Sequence, residues 1–449
     1  MQPSAAKDVS PPARKLPLWA LCLFFMIAGI PYGSVVGFAT GWVPYILKLK
    51  GLKLTNIGWY AAAMMIPAYL RFLYAPIVDI WLRRKTWLFI VTALSTTCLC
   101  LAVFQPLPQH LGRFVALVFT AKVFSGLISA SYGGLMATLV DPQHRGKIAG
   151  WNYAGNLGAA GLVWFLTIKF GKNNLQVAQI VVVCMLLPAA VMLSLPEPRR
   201  AMGRISEVFG NVYREFTTAL KSKEVLLGML FCLSPVGTVA LTNLFSALGH
   251  SYQADKDVVA FFGGGLGGLV SAVGAIAGGY LCDRFHRRSV YLLSGVLTAV
   301  VCMGMLFATK NPSTYAIGLL AYSLVAGLAY AAFNAVVLES IGKAGKSASA
   351  QYTLFVSAGN FAIFYMQILD TRWENIHIPG MPSRIDSPLG ADGHFRILSM
   401  FVRADDAVNG TFAADAVFNL LGVLLLALAW GWLRHHAKRK RQMTPGVVQ

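Results

Sequence analysis

Long apolar segments recur along the whole chain and limit the folds that it can adopt. The chain has 449 residues, of which 56% are hydrophobic and only 12% charged, and its mean hydropathy is +0.60. A soluble domain usually has about 25% charged residues. A run of about 20 apolar residues can cross a bilayer as a helix, and a helix satisfies its own backbone hydrogen bonds in lipid. The sequence therefore predicts an all-α membrane protein.

Twelve such segments can be placed, and we call them spans 1 to 12. Their predicted ranges are 17–47, 56–81, 86–104, 113–140, 147–170, 174–195, 225–249, 258–282, 289–309, 313–340, 347–371 and 413–433. Between spans 6 and 7, residues 196–224 carry apolar side chains at three- and four-residue spacing, which predicts an amphipathic helix at the cytoplasmic face. The predicted organisation is a first half (1–195), this linker (196–224) and a second half (225–449), with a long outer loop at 372–412.

Basic residues are distributed unevenly between the two sides of this map. Of the 38 Lys and Arg residues, 24 lie on the side of both termini, 12 lie on the other side and two lie within spans. The excess predicts that both termini are cytoplasmic. The net charge of +20 is spread over alternate loops, which indicates anionic lipid rather than nucleic acid as a partner. We expect a monomeric integral protein of a bacterial inner membrane.

One short motif occurs twice and indicates an internal repeat. Residues 79–84 and 283–288 both read Asp-x-x-x-Arg-Arg, 204 residues apart. Residues 31–33 and 235–237 both read Pro-x-Gly and keep the same offset. Two repeats at one offset predict two homologous six-helix halves.

This arrangement resembles the major facilitator superfamily, in which the loop between spans 2 and 3 carries a Gly-x-x-x-Asp-Arg-x-Gly-Arg-Arg-type motif. Residues 279–288 match that motif well, and residues 75–84 match it without its glycines. The resemblance implies two pseudo-symmetric six-helix halves and secondary transport by alternating access, without a cofactor. Within the superfamily, residues 25–90 resemble the muropeptide permease and acetyl-CoA transporter group, which implies coupling to protons. The segments that carry this narrower resemblance are 29–33, 57–60, 73–79 and 83–87.

The repeated motif is also our prediction for the gate. An Asp at the end of a helix, with an Arg one turn on, can pair across the interface between the halves and hold one face shut. The residues expected to act in this way are Asp79, Arg83, Arg84, Asp283, Arg287 and Arg288.

Two cations lie inside predicted spans. Arg71 is about two-thirds of the way along span 2, and Lys122 is about a third of the way into span 4, with Ser125 and Ser129 one and two turns on. A charge at this depth costs about 2.5–3.5 kcal/mol on insertion scales. One interpretation is a structural partnership with carbonyl groups or Asp79. The other is a water-filled cavity that binds an anionic or zwitterionic small solute.

Polar side chains follow one face of span 11 and recur in other spans. Thr353, Ser357, Asn360, Phe364, Gln367 and Thr371 follow one another at steps of three or four residues. Such a stripe either joins helices or lines a path, and we favour a path. The residues expected to line it are Tyr32, Arg71, Lys122, Ser125, Ser129, Asn152, Asn156, Asn243, Tyr330, Asn334, Ser357, Asn360 and Gln367.

Other classes of function were weighed against transport. A membrane-embedded enzyme is disfavoured because the spans show no paired carboxylates, no metal-ligand spacing and no Ser-His arrangement. A receptor without flux would need an output domain. Among transporters, a proton-coupled symporter, a uniporter and an organic-anion exchanger all remain open, because the carboxylates at membrane depth lie near span ends, at Asp79, Asp283, Glu339, Asp370 and Asp415.

Overall fold

The structure is a computed structural model, and it describes residues 16–50, 60, 63–171, 173–197, 223–243, 245–341, 348–373 and 404–443. These residues form helices joined by short turns. Most of the predicted linker and of the outer loop, at 198–222 and 374–403, lies outside the described residues. The amphipathic helix predicted there stays a prediction.

Nine helical segments in the described ranges are long and apolar enough to cross a membrane. They are Leu18–Leu47, Arg84–Val103, Leu111–Leu139, Asn174–Met192, Asp257–Arg284, Arg287–Phe307, Pro312–Ser340, Gln351–Asp370 and Asn409–Trp432. These correspond to predicted spans 1, 3, 4, 6 and 8–12. Span 5 is the uninterrupted helix Arg145–Lys169, which has the required length and a more polar sequence.

Spans 2 and 7 are broken, which corrects the prediction of two continuous helices. The described part of span 2 consists of the helices Ile66–Tyr69 and Arg71–Tyr74 and the 3-10 helix Ala75–Asp79. Pro67 and Pro76 lie in this stretch and lack the N–H that a continuous helix needs.

Span 7 begins with the helix Lys223–Leu233 and then stops at a proline and a glycine. Gly237 has φ +63°, a left-handed conformation that glycine adopts readily. The chain continues as short helical pieces at Ala240–Asn243, Phe245–Leu248 and Gly249–Tyr252. The break lies in the Pro-x-Gly segment that repeats the sequence of span 1.

Some other helices are irregular or longer than predicted. Single π-helical segments lie within spans 1 and 8, at Phe38–Trp42 and Phe261–Leu266. Span 11 forms the helix Ala348–Trp373. The last helix, Ala404–Met443, extends beyond predicted span 12 in both directions and includes the basic segment that follows it.

The two halves pack closely along spans 5 and 8. A Cβ added to Gly150 would lie 2.4 Å from the carbonyl oxygen of Ala275. A Cβ added to Gly161 would lie 2.4 Å from the carbonyl oxygen of Gly264. Small residues allow such close backbone contact in lipid, where the hydrophobic effect does not drive helices together.

Candidate functional site

Arg71 lies at the centre of the polar region of the first half. Its guanidinium is buried, with 2% of the residue exposed. Nη1 donates to Ser129 Oγ at 2.8 Å, and Nη2 donates to the Tyr32 hydroxyl at 3.1 Å. Its Nε has no hydrogen-bond partner. The break in span 2 places this side chain, because Arg71 begins the short helix that follows the break.

Lys122 is buried on the neighbouring span 4, and it interacts electrostatically with Tyr32 and Arg71. The two cations therefore face the same hydroxyl. Within the described part of the chain, no carboxylate forms an ion pair with either Arg71 or Lys122. The predicted partnership of Arg71 with Asp79 is not observed, because the recorded ion pair of Asp79 is with Arg84.

A series of tyrosines extends from these cations into the second half. The rings of Tyr32 and Tyr132 are in edge contact at 6.3 Å, and those of Tyr132 and Tyr352 at 6.4 Å. Tyr32 also faces the guanidinium of Arg71, whose Cζ lies 5.4 Å from the ring centroid. Sequence reasoning missed Tyr132 and Tyr352. The signal that could have found Tyr132 is its place three residues after Ser129 on one face of span 4.

A small cavity lies on the second-half side and contains two predicted residues, Asn360 and Tyr330. It leaves about 30 Å³ of free space, which is room for water molecules and not for a solute. Its wall includes Tyr153 of span 5, whose ring stacks on Tyr330 of span 10 at 5.5 Å. Asn360 Nδ2 donates to the carbonyl of Ala68 in span 2 at 3.3 Å. These contacts join the two halves.

Two other predicted residues are buried with polar atoms that have no partner. The side-chain oxygen and nitrogen of Asn334 are unpaired and fully buried, and so is the Ser357 hydroxyl oxygen. An orphaned buried polar group costs about 1–3 kcal/mol. Such groups are the ones that a bound polar solute can satisfy.

The remaining predicted residues are placed differently. Asn152 donates to the carbonyl of Phe25 at 2.9 Å, and it lies with Asn156 where span 5 packs against span 1. The Ser125 hydroxyl donates to the carbonyl of Lys122 at 2.7 Å. Gln367 lies further along span 11, and the side chain of Asn243 is outside the described residues.

The two repeated motifs lie at one end of the bundle, which we call the motif face. In the first half, Asp79 Oδ1 accepts from Arg84 Nε and Nη2 at 2.9 and 2.7 Å. Its Oδ2 accepts from the backbone N–H of Ser349, in the first turn of span 11, at 3.2 Å. Arg84 also donates to the carbonyl of Gly134 in span 4.

The second half repeats this contact in the opposite direction. Asp283 accepts from the backbone N–H groups of Gly146 and Lys147, in the first turn of span 5, at 2.8 and 2.9 Å. Arg287 lies 3.9 Å from Asp283 and 3.8 Å from Glu339. Each motif carboxylate therefore binds the start of a helix in the other half.

This geometry corrects the expected ion pair across the interface. Asp79 pairs with Arg84 of its own half, and its contact across the interface is with a helix N-terminus. The unpaired N–H groups and the macrodipole make such a terminus a binding site for anions. Arg288 pairs with Glu339 at 3.4 Å, also in its own half. Arg83, at the start of span 3, lies outside these recorded contacts.

The profile of the Major Facilitator Superfamily matches residues 18–363. The chain belongs to this superfamily. The twelve-helix fold predicted from the sequence is confirmed, and the chain is an integral membrane protein of a family of transporters rather than of enzymes.

Two solved structures of the superfamily show the same fold. The chain is similar to the transporter FucP in the outward conformation, with a TM-score of 0.58, 13% identity, and coverage of 91% of this chain and 98% of FucP. It is also similar to the proton:xylose symporter XylE bound to 6-bromo-6-deoxy-D-glucose, with a TM-score of 0.62, 12% identity, and coverage of 91% and 95%. A variant of the E. coli fucose:proton symporter FucP also matches, with a TM-score of 0.56 and 14% identity.

Proposed function

We propose that this superfamily member is a secondary transporter that moves a small anionic or zwitterionic solute by alternating access. The solute binds between the halves, where Arg71 and Lys122 of the first half face the polar groups of the second. The protein lies in a bacterial inner membrane with both termini in the cytoplasm, so the motif face is the cytoplasmic face.

The observation that supports this proposal is the buried guanidinium of Arg71. It is held by two neutral hydroxyls and retains an unpaired Nε, and the described residues supply no carboxylate to it. A buried cation without a counter-ion is expensive. A carboxylate or phosphate would offset that cost, and a guanidinium can hold such a group through two parallel hydrogen bonds.

The motif face supports the transport cycle. Its two carboxylate contacts join the halves at this face, and the free space near Asn360 is too small for a solute. The chain is therefore described in a state closed at this face. Transport requires that the contacts of Asp79 and Asp283 break when the halves rock.

Coupling to protons is a further part of the proposal. It is supported by the resemblance of residues 25–90 to the muropeptide permease group, and by the proton symporters among the structures with this fold. The narrower assignment to that group stays a prediction. A uniporter or an organic-anion exchanger is the alternative, and the lack of a described carboxylate beside Arg71 favours it. Uptake that does not respond to a pH gradient would select the alternative.

A ligand-stabilisation screen tests the charge of the solute. The purified protein is heated with neutral sugars, sugar phosphates, mono- and dicarboxylates and amino acids. We expect stabilisation by anionic or zwitterionic compounds and not by their neutral isosteres. Arg71→Lys should weaken binding of the best compound by about tenfold or more, because Lys keeps the charge and loses the bidentate geometry.

Lys122→Gln should weaken binding of the anion more than binding of its neutral isostere. Arg113→Gln is the matched control, because Arg113 is exposed near the start of the same helix. Equal losses for charged and neutral ligands in both variants would contradict the proposal and support a structural role for the two cations.

A further inference from the structure

Two aspartates are buried together in the second half, away from the central cavity. Asp370 lies near the end of span 11, and Asp415 lies in span 12, and both residues are 0% exposed. Thr411, one turn before Asp415, donates to the carbonyl of Asp370 at 3.4 Å. The two carboxyl groups are close enough to interact electrostatically. Neither residue lines the cavity near Asn360.

Hydrogen-bond donors from three spans surround one member of this pair. Asp415 Oδ2 accepts from Cys302 Sγ of span 9 at 3.1 Å and from the Tyr322 hydroxyl of span 10 at 3.2 Å. Its Oδ1 accepts from Asn419 Nδ2 at 3.3 Å. Three donors stabilise one negative charge on Asp415.

The other member has no such support. Both carboxyl oxygens of Asp370 are buried and have no hydrogen-bond partner. An isolated carboxylate buried in this way costs several kcal/mol, and a second negative charge beside Asp415 adds repulsion. The pair can therefore carry one negative charge but not two.

The surrounding titratable groups do not supply a counter-ion. Cys302 and Tyr322 are donors to Asp415, and Tyr252, from the broken end of span 7, donates to the carbonyl of Met305 in span 9. Lys310 Nζ binds Asn409 Oδ1 at 2.7 Å, six residues before Asp415. No cationic side chain within the described ranges contacts either carboxyl group.

We propose that the pair formed by Asp370 and Asp415 is a proton-binding site. One proton from the aqueous phase forms an O–H bond on Asp370, while Asp415 keeps its charge and its three donors. A proton fits better than a metal cation, because the groups around Asp415 present hydrogens, whereas Na⁺ or Ca²⁺ needs several oxygen ligands. Among the described residues no cluster of His, Cys, Asp and Glu could hold a metal ion.

The site is connected to the parts of the second half that contact the first. Asn419 Oδ1 accepts from the backbone N–H of Gly237 at 3.1 Å, at the break in span 7. Span 11 carries Asp370 near one end, and its other end is bound to Asp79 through Ser349. A proton that leaves Asp370 changes the charge between spans 11 and 12, so release can shift these helices. This link to transport rests on the proposed function, whereas proton binding does not.

Infrared spectroscopy of the purified full chain, without any solute, tests the proposal. At neutral pH the wild-type protein should show the C=O stretch of a buried protonated carboxyl group, shifted in D₂O. Asp370→Asn should lose this band, because Asp415 then ionises among its donors. Asp415→Asn should keep it, because Asp370 remains buried without a partner. Asp255→Asn, at an exposed helix cap, is the control and should keep it as well.

A wild-type spectrum without the band would overturn the proposal, and so would a full band in Asp370→Asn. If Asp370→Asn does not fold, Asp370→Cys removes the same carboxyl group.

Thermal stability gives a second measurement. The folded state holds a proton that the unfolded chain releases near neutral pH, so stability should fall as pH rises. The folded-to-unfolded ratio should change by up to about tenfold per pH unit for one proton. Asp370→Asn should flatten this dependence. A flat wild-type profile, or stabilisation by Na⁺ over choline that Asp370→Asn abolishes, would overturn the proposal.

Discussion

The carboxylate of Asp79 accepts a hydrogen bond from the backbone N–H of Ser349, across the interface between the two halves. Asp283 makes the reciprocal contact with Gly146 and Lys147. The two repeated motifs are thus related by function as well as by sequence, because each carboxylate binds the N-terminus of a helix in the opposite half. The arginine nearest to Asp79 holds the carboxylate in position from its own side.

Neutralising either motif carboxylate should open the motif face. Asp79→Asn keeps the shape of the side chain and removes the charge that binds Ser349 and Arg84. A lost contact of about 2 kcal/mol would change the ratio of closed to open protein by about thirtyfold. Hydrogen exchange should therefore rise at the start of span 11 in Asp79→Asn and at the start of span 5 in Asp283→Asn.

Asp255→Asn is the control for these variants, because it changes an exposed aspartate that caps a helix in the second half. If both helix starts respond in each variant, the halves open in a concerted step. Unchanged exchange and normal transport in both variants would reduce the motifs to topology signals.

The polar face of span 11 should be reachable from water when the halves separate. A cysteine at Asn360, beside the cavity, should react with a charged thiol reagent, and one at Ser357 should react more slowly because this position is buried. A cysteine at Phe361 should not react, since this side chain is 48% exposed on the surface that faces lipid. The seven native cysteines require subtraction of the wild-type labelling.

Adding Asp79→Asn should accelerate labelling at Ser357, because the motif face is then open more often. Equal lack of reaction at all three positions, with and without Asp79→Asn, would mean that the stripe joins helices and lines no path.

Close packing of spans 5 and 8 should not tolerate a single added methyl group. Gly150→Ala would place Cβ 2.4 Å from the backbone oxygen of Ala275, so the two halves would have to move apart. We expect a lower thermal midpoint, by an amount typical of overpacking at about 1–3 kcal/mol. Gly304→Ala is the control, because nothing lies within 4 Å of the added atom there. Equal midpoints for the two variants would contradict the close contact.

The sequence by itself determined the fold class, the number of spans and the repeat. These follow from the length and hydropathy of each apolar segment and from two motifs at a common offset, which are properties of the chain that need no tertiary contact. It also selected Arg71, because a charge in an apolar run is visible without a structure. The prediction of its environment was incomplete, since Tyr132 and Tyr352 resemble ordinary apolar residues until three spans meet around them.

The tertiary structure alone decided how the motif carboxylates are used. A pattern of Asp and Arg suggests an ion pair, but the partner of Asp79 across the interface is a backbone N–H that every residue possesses. It also decided where spans 2 and 7 break, and which of two similar aspartates has donors. Asp370 and Asp415 look alike in the sequence. The neighbours that distinguish them come from other helices, and helix packing brings them together from distant parts of the chain.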